Sequence, residues 1–196
     1  MDGMRTLRLL PLLLLTAGCF FDTREPEQGE DPGIEVEWQD PIEPSLALPN
    51  MTASLEAKIL TNYGRSFSTE GLEMDPAAED VGLGLDETYF DAWSKDEEES
   101  RMSAILTAAM PDSVRVEFSD LNEVVGDERY FKDLHYEIIF TKGASKARYA
   151  GDVDLYFREE GGLYYISKWI DKVDDQGVDP DVHTWCWLRY YGLEWS

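Results

Sequence analysis

The sequence predicts an α+β domain in which N-terminal helices pack on a curved, mostly antiparallel sheet of four to six strands. Three observations predict it. Apolar residues recur at helical spacing as far as Met110 and at a period of two from Val114 onward, so helices come first and strands afterwards. Gly126-Asp127, Lys142-Gly143 and Glu160-Gly161-Gly162 stand between successive alternating runs, where glycine supplies the positive φ that a hairpin turn needs. Strands joined by such turns form an antiparallel meander, and helices that precede a meander cover one of its faces.

Residues 1–18 have the layout of a signal peptide. Arg5 and Arg8 precede the apolar run Leu9 to Leu15, which gives way to Thr16, Ala17, Gly18 and Cys19. That run is too short for a bilayer span, which needs about 20 apolar residues. L-T-A-G-C, Leu15 to Cys19, resembles the lipobox of bacterial lipoproteins, with Thr16 where that family usually has Leu. The resemblance implies a diacylglycerol on Cys19, which becomes the mature N-terminus, and hence an exported protein held in a lipid membrane. Phe20 rather than Asp after the cysteine implies passage to the outer membrane. Two acyl chains plus an N-terminal one exceed what stable anchoring requires, at ~0.8 kcal/mol per buried methylene. The other reading of the segment is an ordinary secretory signal.

Residues 19–45 are rich in Glu, Asp and Pro, and Pro26, Pro32, Pro41 and Pro44 break any helix. The composition predicts a tether, reaching about 3.1 Å per residue if it is polyproline II. Ile34, Val36 and Trp38 alternate, and their pattern also fits a short edge strand. The remainder, residues 46–196, has the size of one domain.

Within that domain Pro49 and Asn50 predict an N-cap, and Leu55, Ile59, Leu60 and Tyr63 an amphipathic helix ending near Gly64. Leu72 and Met74 flank Glu73 ahead of Asp75-Pro76, as in a short strand. Gly82, Gly84 and Asp86 predict a loop before a second helix, whose apolar side is Tyr89, Phe90, Trp93, Met102, Ile105, Leu106 and Met110. Lys95 to Ser100 falls in its middle and reads as a solvated face. Four strands then follow, centred on Val114 to Phe118, Leu134 to Phe140, Val153 to Phe157 and Tyr165 to Trp169.

The formal charge is −24, and loss of residues 1–18, with Arg5, Arg8 and Asp2, leaves −25. A chain so acidic repels nucleic acid and anionic head groups, which excludes nucleic-acid binding as a function class. Aromatic residues make up 12% of the chain, enough ring area to fill a core. With Cys19 lipidated, Cys186 has no disulfide partner, and between Trp185 and Trp187 it reads as a small buried side chain.

Element order, together with Tyr164-Tyr165-Ile166-Ser167-Lys168-Trp169-Ile170-Asp171, resembles the nuclear transport factor 2-like superfamily, the cone-shaped fold of SnoaL-like proteins and ketosteroid isomerase. The segment is similar to the Y-x-I-x-x-W-x-D closing strand of such domains. Trp185 to Leu188 is similar to the W-x-x-L ending of a group of bacterial lipoproteins with this fold. The resemblance implies a pocket inside the cone, for which Tyr136, Phe140, Phe157 and Trp169 are the candidate lining residues, with Tyr130 and Tyr149 as further rings. It also implies dimers formed through the sheet, which the excess of acids opposes.

Candidate chemistry is sparse. His135 lies opposite Leu134 and Tyr136 on its strand and needs a carboxylate partner and a pocket to act as a base. Asp152 and Asp154 share a strand face with Tyr156. Asp171, Asp174, Asp175, Asp179, Asp181 and His183 crowd one loop, yet their spacing is not that of a calcium loop, and neither metal nor cofactor is predicted. Two function classes follow: a module that binds a small apolar ligand or an envelope protein, which we favour, and an isomerase- or dehydratase-type enzyme. A pocket of hydrocarbon and rings favours the first; a buried carboxylate within reach of a Tyr or His favours the second.

Overall fold

The computed structural model describes residues 36–173 and 182–195. Helix α1 (Pro44–Glu56) opens with proline in its first turn, where a missing N–H costs nothing. The helix therefore starts earlier than Asn50 predicts, and Asn50 is buried inside it. Its amide pairs with the main chain of Gln39, accepting from the Gln39 N–H at 3.1 Å and donating to the carbonyl at 2.6 Å. No strand forms over residues 36–41; instead Trp38 carries the Arg65 guanidinium 4.1 Å over its ring. Lys58, at φ 60°, breaks the expected single helix, and α2 (Leu60–Arg65) follows.

The short strand β1 (Glu73–Asp75) leads to α3 (Ala78–Gly82), and a 3₁₀ turn covers Glu87–Phe90. The expected second helix is thus divided, because Ser94 caps a fresh start. Its hydroxyl accepts from the Glu97 N–H at 3.2 Å, and Asp96, Glu97 and Glu98 sit in the positive first turn of α4 (Lys95–Ala109). The charged run is a helix beginning rather than a helix middle.

Strands β2 (Ser113–Ser119), β3 (Glu123–Val125), β4 (Arg129–Lys142), β5 (Ser145–Glu160) and β6 (Leu163–Lys172) complete one six-stranded sheet. Its order is β1-β6-β5-β4-β2, with β3 beside β4, and every pair is antiparallel except β1 with β6. Irregularities between Phe131 and Leu134 and between Tyr156 and Phe157 bend the long strands, giving the sheet its curvature. The second one shifts the face of β6. Ile166 and Trp169 are both fully buried, although strict alternation places them on opposite sides. The last helix among the described residues is α5 (Trp185–Tyr191), capped by Thr184 and lying among the core residues.

The fold class read from the sequence is the one observed. What fills the concave side is α5. The Trp185 ring lies tilted 4.7 Å from that of Trp169 and edge-on 5.8 Å from that of Tyr136, and all three are fully buried with Met51, Leu55 and Met102.

Candidate functional site

Two buried polar clusters lie inside the fold. In the first, Tyr136 donates its hydroxyl hydrogen to Asp171 Oδ1 at 2.6 Å, and the Trp169 indole donates to the same oxygen at 3.0 Å. Asp171 Oδ2 accepts the Cys186 N–H at 2.6 Å, and the Tyr136 oxygen accepts the Trp185 N–H at 2.7 Å. Burial raises the pKa of Asp171 and raises that of Tyr136 well above the ordinary phenol value. This is the carboxylate–tyrosine pairing expected of an enzyme, yet both carboxylate oxygens are occupied by donors. Its consequence is to pin the first turn of α5 to β4 and β6.

The second cluster joins α4, α5 and α2. Arg189 donates Nε to Glu98 at 2.7 Å and Nη2 to the Tyr63 oxygen at 2.7 Å, while its guanidinium lies 4.1 Å over the Trp185 ring. Glu98 also takes the Trp93 indole at 3.0 Å and the Tyr63 hydroxyl. Burial opposes the charge on Arg189, but Glu98 beside it outweighs burial and holds its pKa above the usual value. A third buried acid, Asp80 of α3, accepts the Thr184 hydroxyl, and burial pushes its pKa up to about 6.

Of the four rings expected to line a pocket in the cone, one, Phe157, lines an open cleft of about 450 Å³, beside Arg129, Tyr156 and Tyr164. Tyr136, Phe140 and Trp169 are fully buried and packed as core, and Phe157 is 5% exposed. The physical reason is α5, whose Trp185 occupies the space the cone offers. Tyr149 donates to the Gly192 carbonyl at 3.1 Å, and Tyr130 stacks on Tyr156 at 4.6 Å on the opposite face of the sheet.

An open groove of about 590 Å³ lies instead between α1 and the end of β2. Its apolar part is Leu48, Pro49, Val116, Phe118 and Leu121, and its polar wall holds Ser45, Thr52, Glu117, His135 and Glu137. Pro49 has no N–H to give to the Ser45 carbonyl one turn before it, which leaves an acceptor on this side of α1 without its usual donor. His135 reaches the groove because β2 ends opposite it, with Ser119 its register partner.

Of the three candidate catalytic residues, the structure brings two together. His135 Nδ1 is 3.0 Å from Asp152 Oδ1, both groups half-buried. Asp154 is drawn away by Lys172, whose ammonium is 2.7 Å from it and 2.6 Å from Asp133. Glu137 beside His135 is held by Arg148 and, at 3.4 Å, by Arg115.

Cys186 is fully buried, and burial raises its thiol pKa well above the ordinary value. Cys19 lies outside the described residues, as do Asp174, Asp175, Asp179 and Asp181. Among the described residues no group of three or more His, Cys, Asp or Glu is arranged to hold a metal, and Asp171 already has its oxygens filled. Glu98, Arg189 and Asp80 went unnoticed in the sequence, and Tyr63 was read only as part of a helix's apolar face. The signal for Glu98 was present, since it is one turn before Met102 on the apolar side of α4.

Comparison with known proteins places the fold. No protein-family model and no curated protein matches the sequence. Among solved structures, a protein from Catenulispora acidiphila matches with TM-score 0.52 at 11% identity, covering 65% of this chain and 86% of that one. Aln2 from a Streptomyces species matches with TM-score 0.51 at 10% identity, covering 67% and 88%. The β subunit of benzoate 1,2-dioxygenase from Burkholderia mallei matches with TM-score 0.51 at 14% identity, covering 70% and 93%. These likenesses agree with the helices on a curved, mostly antiparallel six-stranded sheet seen here, and the fold is nuclear transport factor 2-like.

Proposed function

We propose that this protein is a lipid-anchored component of the bacterial cell envelope whose domain binds a small amphipathic molecule in the α1–β2 groove without transforming it. The observation that carries the binding reading is the filled cone: Trp185, Trp169 and Tyr136 close the interior, and the groove offers a ligand an apolar floor outside it. A volume near 590 Å³ lies in the range of small-molecule sites, as does a mainly apolar lining with a few polar groups on one wall. The nuclear transport factor 2-like neighbours include a protein named as an enzyme subunit, and a shared fold does not transfer its chemistry. Support for the anchor is the L-T-A-G-C segment ending at Cys19 behind a short apolar run.

The test of the groove uses N-phenyl-1-naphthylamine, a neutral apolar fluorophore. The mature protein is expected to bind one equivalent. Thr52→Trp, which fills the groove from α1, and Leu121→Glu, at an exposed floor position, are each expected to weaken binding about tenfold or more. Equal binding by wild type and both variants refutes the reading. For the anchor, mass spectrometry of the mature N-terminus is expected to show an acylated Cys19.

A second reading has one observation behind it. His135 stands at the groove wall with its Nδ1 3.0 Å from Asp152 Oδ1, as a general base and its orienting carboxylate do. It predicts turnover of the bound molecule that His135→Gln abolishes while binding persists.

A further inference from the structure

The sheet ends at β1, and nothing in the groove reading involves that end. Three residues, Glu73 to Asp75, pair with Lys168 to Ile170 of β6 along one side. Along the other side β1 has no strand partner among the described residues. Beside this open edge is a cleft of about 620 Å³, closed on its far side by the 3₁₀ turn Glu87–Phe90. Met74, Phe90 and Trp93 form its floor, each less than 10% exposed. Four carboxylates, of Glu73, Asp75, Glu87 and Asp91, stand around it. Lys168 serves only two of these, lying 3.0 Å from Glu73 and 3.2 Å from Asp75. Glu87 and Asp91 have no cationic partner among the described residues, where every ion pair of this end of the molecule goes to β1.

A free strand edge is a template for another strand, and proteins ordinarily blunt it with charge and shortness. Here the charges are all of one sign on the open side. They repel a second copy of this chain, whose formal charge is −24, and they repel nucleic acid. The same carboxylates attract a strand that carries cations. Side chains of an added strand alternate between its two faces, so one set falls toward Glu73 and Asp75 and the other over the Phe90 and Trp93 floor.

We infer that the open edge of β1 and its cleft dock an extended segment of a partner protein in which lysine or arginine alternates with apolar residues. The segment adds as a strand to β1, its cations meeting the four carboxylates and its apolar side chains covering the floor. Pro76 follows directly and has no N–H to offer, so the added ladder is short and recognition relies on charge as much as on main-chain hydrogen bonds.

The probe is an acetylated, amidated seven-residue peptide of alternating lysine and valine, fluorescein-labelled, titrated by anisotropy against the mature protein. Saturable binding is expected below 1 mM, weakened about tenfold or more by Glu87→Lys/Asp91→Lys. It is expected to weaken to a similar extent in 0.5 M salt, where the screening length falls to a few ångströms. Two further peptides separate strand addition from simple ion exchange. One has glutamate for lysine, the other has alternate backbone nitrogens methylated, and each is expected to bind at least about tenfold more weakly. Thr52→Trp, which fills the other groove, is expected to leave peptide binding unchanged. Circular dichroism of Glu87→Lys/Asp91→Lys, both exposed positions, checks that the fold persists. No binding at 1 mM, equal binding of the methylated peptide, indifference to Glu87→Lys/Asp91→Lys in a folded protein, or loss with Thr52→Trp would each overturn the inference.

Discussion

Arg189→Met tests whether the buried ion pair holds the C-terminal helix in the core. The two side chains are 1% and 0% exposed, so neither charge is shielded by water. Removing Arg189 leaves the Glu98 carboxylate in the interior with only the Tyr63 hydroxyl and Trp93 indole as donors. Breaking a buried pair from one side costs about 3–5 kcal/mol, because the remaining charge has lost its counter-ion. At roughly 2–4 °C per kcal/mol for a domain of this size, the melting temperature should fall by about 6–20 °C. The diagnostic step is to add Glu98→Gln. That change removes the charge, keeps an acceptor oxygen for the Trp93 indole and turns an amide N–H towards the Tyr63 oxygen, which Arg189 no longer occupies, so Glu98→Gln/Arg189→Met should recover about 2 kcal/mol over Arg189→Met alone. The assay is urea denaturation followed by circular dichroism, with the slope on denaturant compared among variants. If the double variant is no more stable than the single one, the loss is packing alone and the electrostatic account fails.

Three further outcomes follow from the same interior. Asp80 has its pKa raised to about 6, above its unfolded value, so the native state holds its proton more tightly and this contribution to stability falls as pH rises from about 4 to above 6. Asp80→Asn should therefore gain on wild type across that window, by about 2–3 kcal/mol at most near pH 7, and a difference independent of pH would count against it. A Cβ at Gly151 meets the Lys172 carbonyl at 2.6 Å and the Tyr136 hydroxyl at 2.9 Å, so Gly151→Ala should cost about 1–3 kcal/mol in urea unfolding. Asp171→Asn puts an amide N–H where one of the donors from Cys186, Trp169 or Tyr136 now points, and a loss of roughly 2 kcal/mol or more is expected from thermal melts.

How much of this was legible depends on the distance over which the deciding interactions act. The strands were readable because Val114, Leu134, Tyr136, Val153 and Leu155 alternate locally and their neighbours are polar. The class and the antiparallel run β2-β4-β5-β6 followed from the short glycine turns, whereas the parallel pairing of β1 with β6 and the short β3 did not. The break at Lys58 was not readable, since a positive φ at a lysine has no local signature, and its ammonium is fixed far away by the Asp112 carbonyl at 3.1 Å. The slip in β6 was hidden for the same reason: a bulge is a property of two paired strands, and only the pair shows that Ile166 and Trp169 face one way.

The site was misplaced because one element was read as a tail. Thr184 before Trp185, and Gly192 after Tyr191, are ordinary start and stop signals of a helix. Taking them as such puts Trp185, Leu188 and Arg189 on one side of α5, which then needs a buried surface to cover and a carboxylate for the arginine. Glu98 was available in the sequence as the single acid in line with Met102, Ile105 and Ala109. Asp171 was available likewise, two residues from Trp169 on the face the sheet turns inward. Joining these three positions fills the cone before any ligand is considered. A fold whose family resemblance implies an internal pocket has filled that space with α5, and the clefts that remain open to solvent are the α1–β2 groove and the one beside β1, which is why both proposals are placed there.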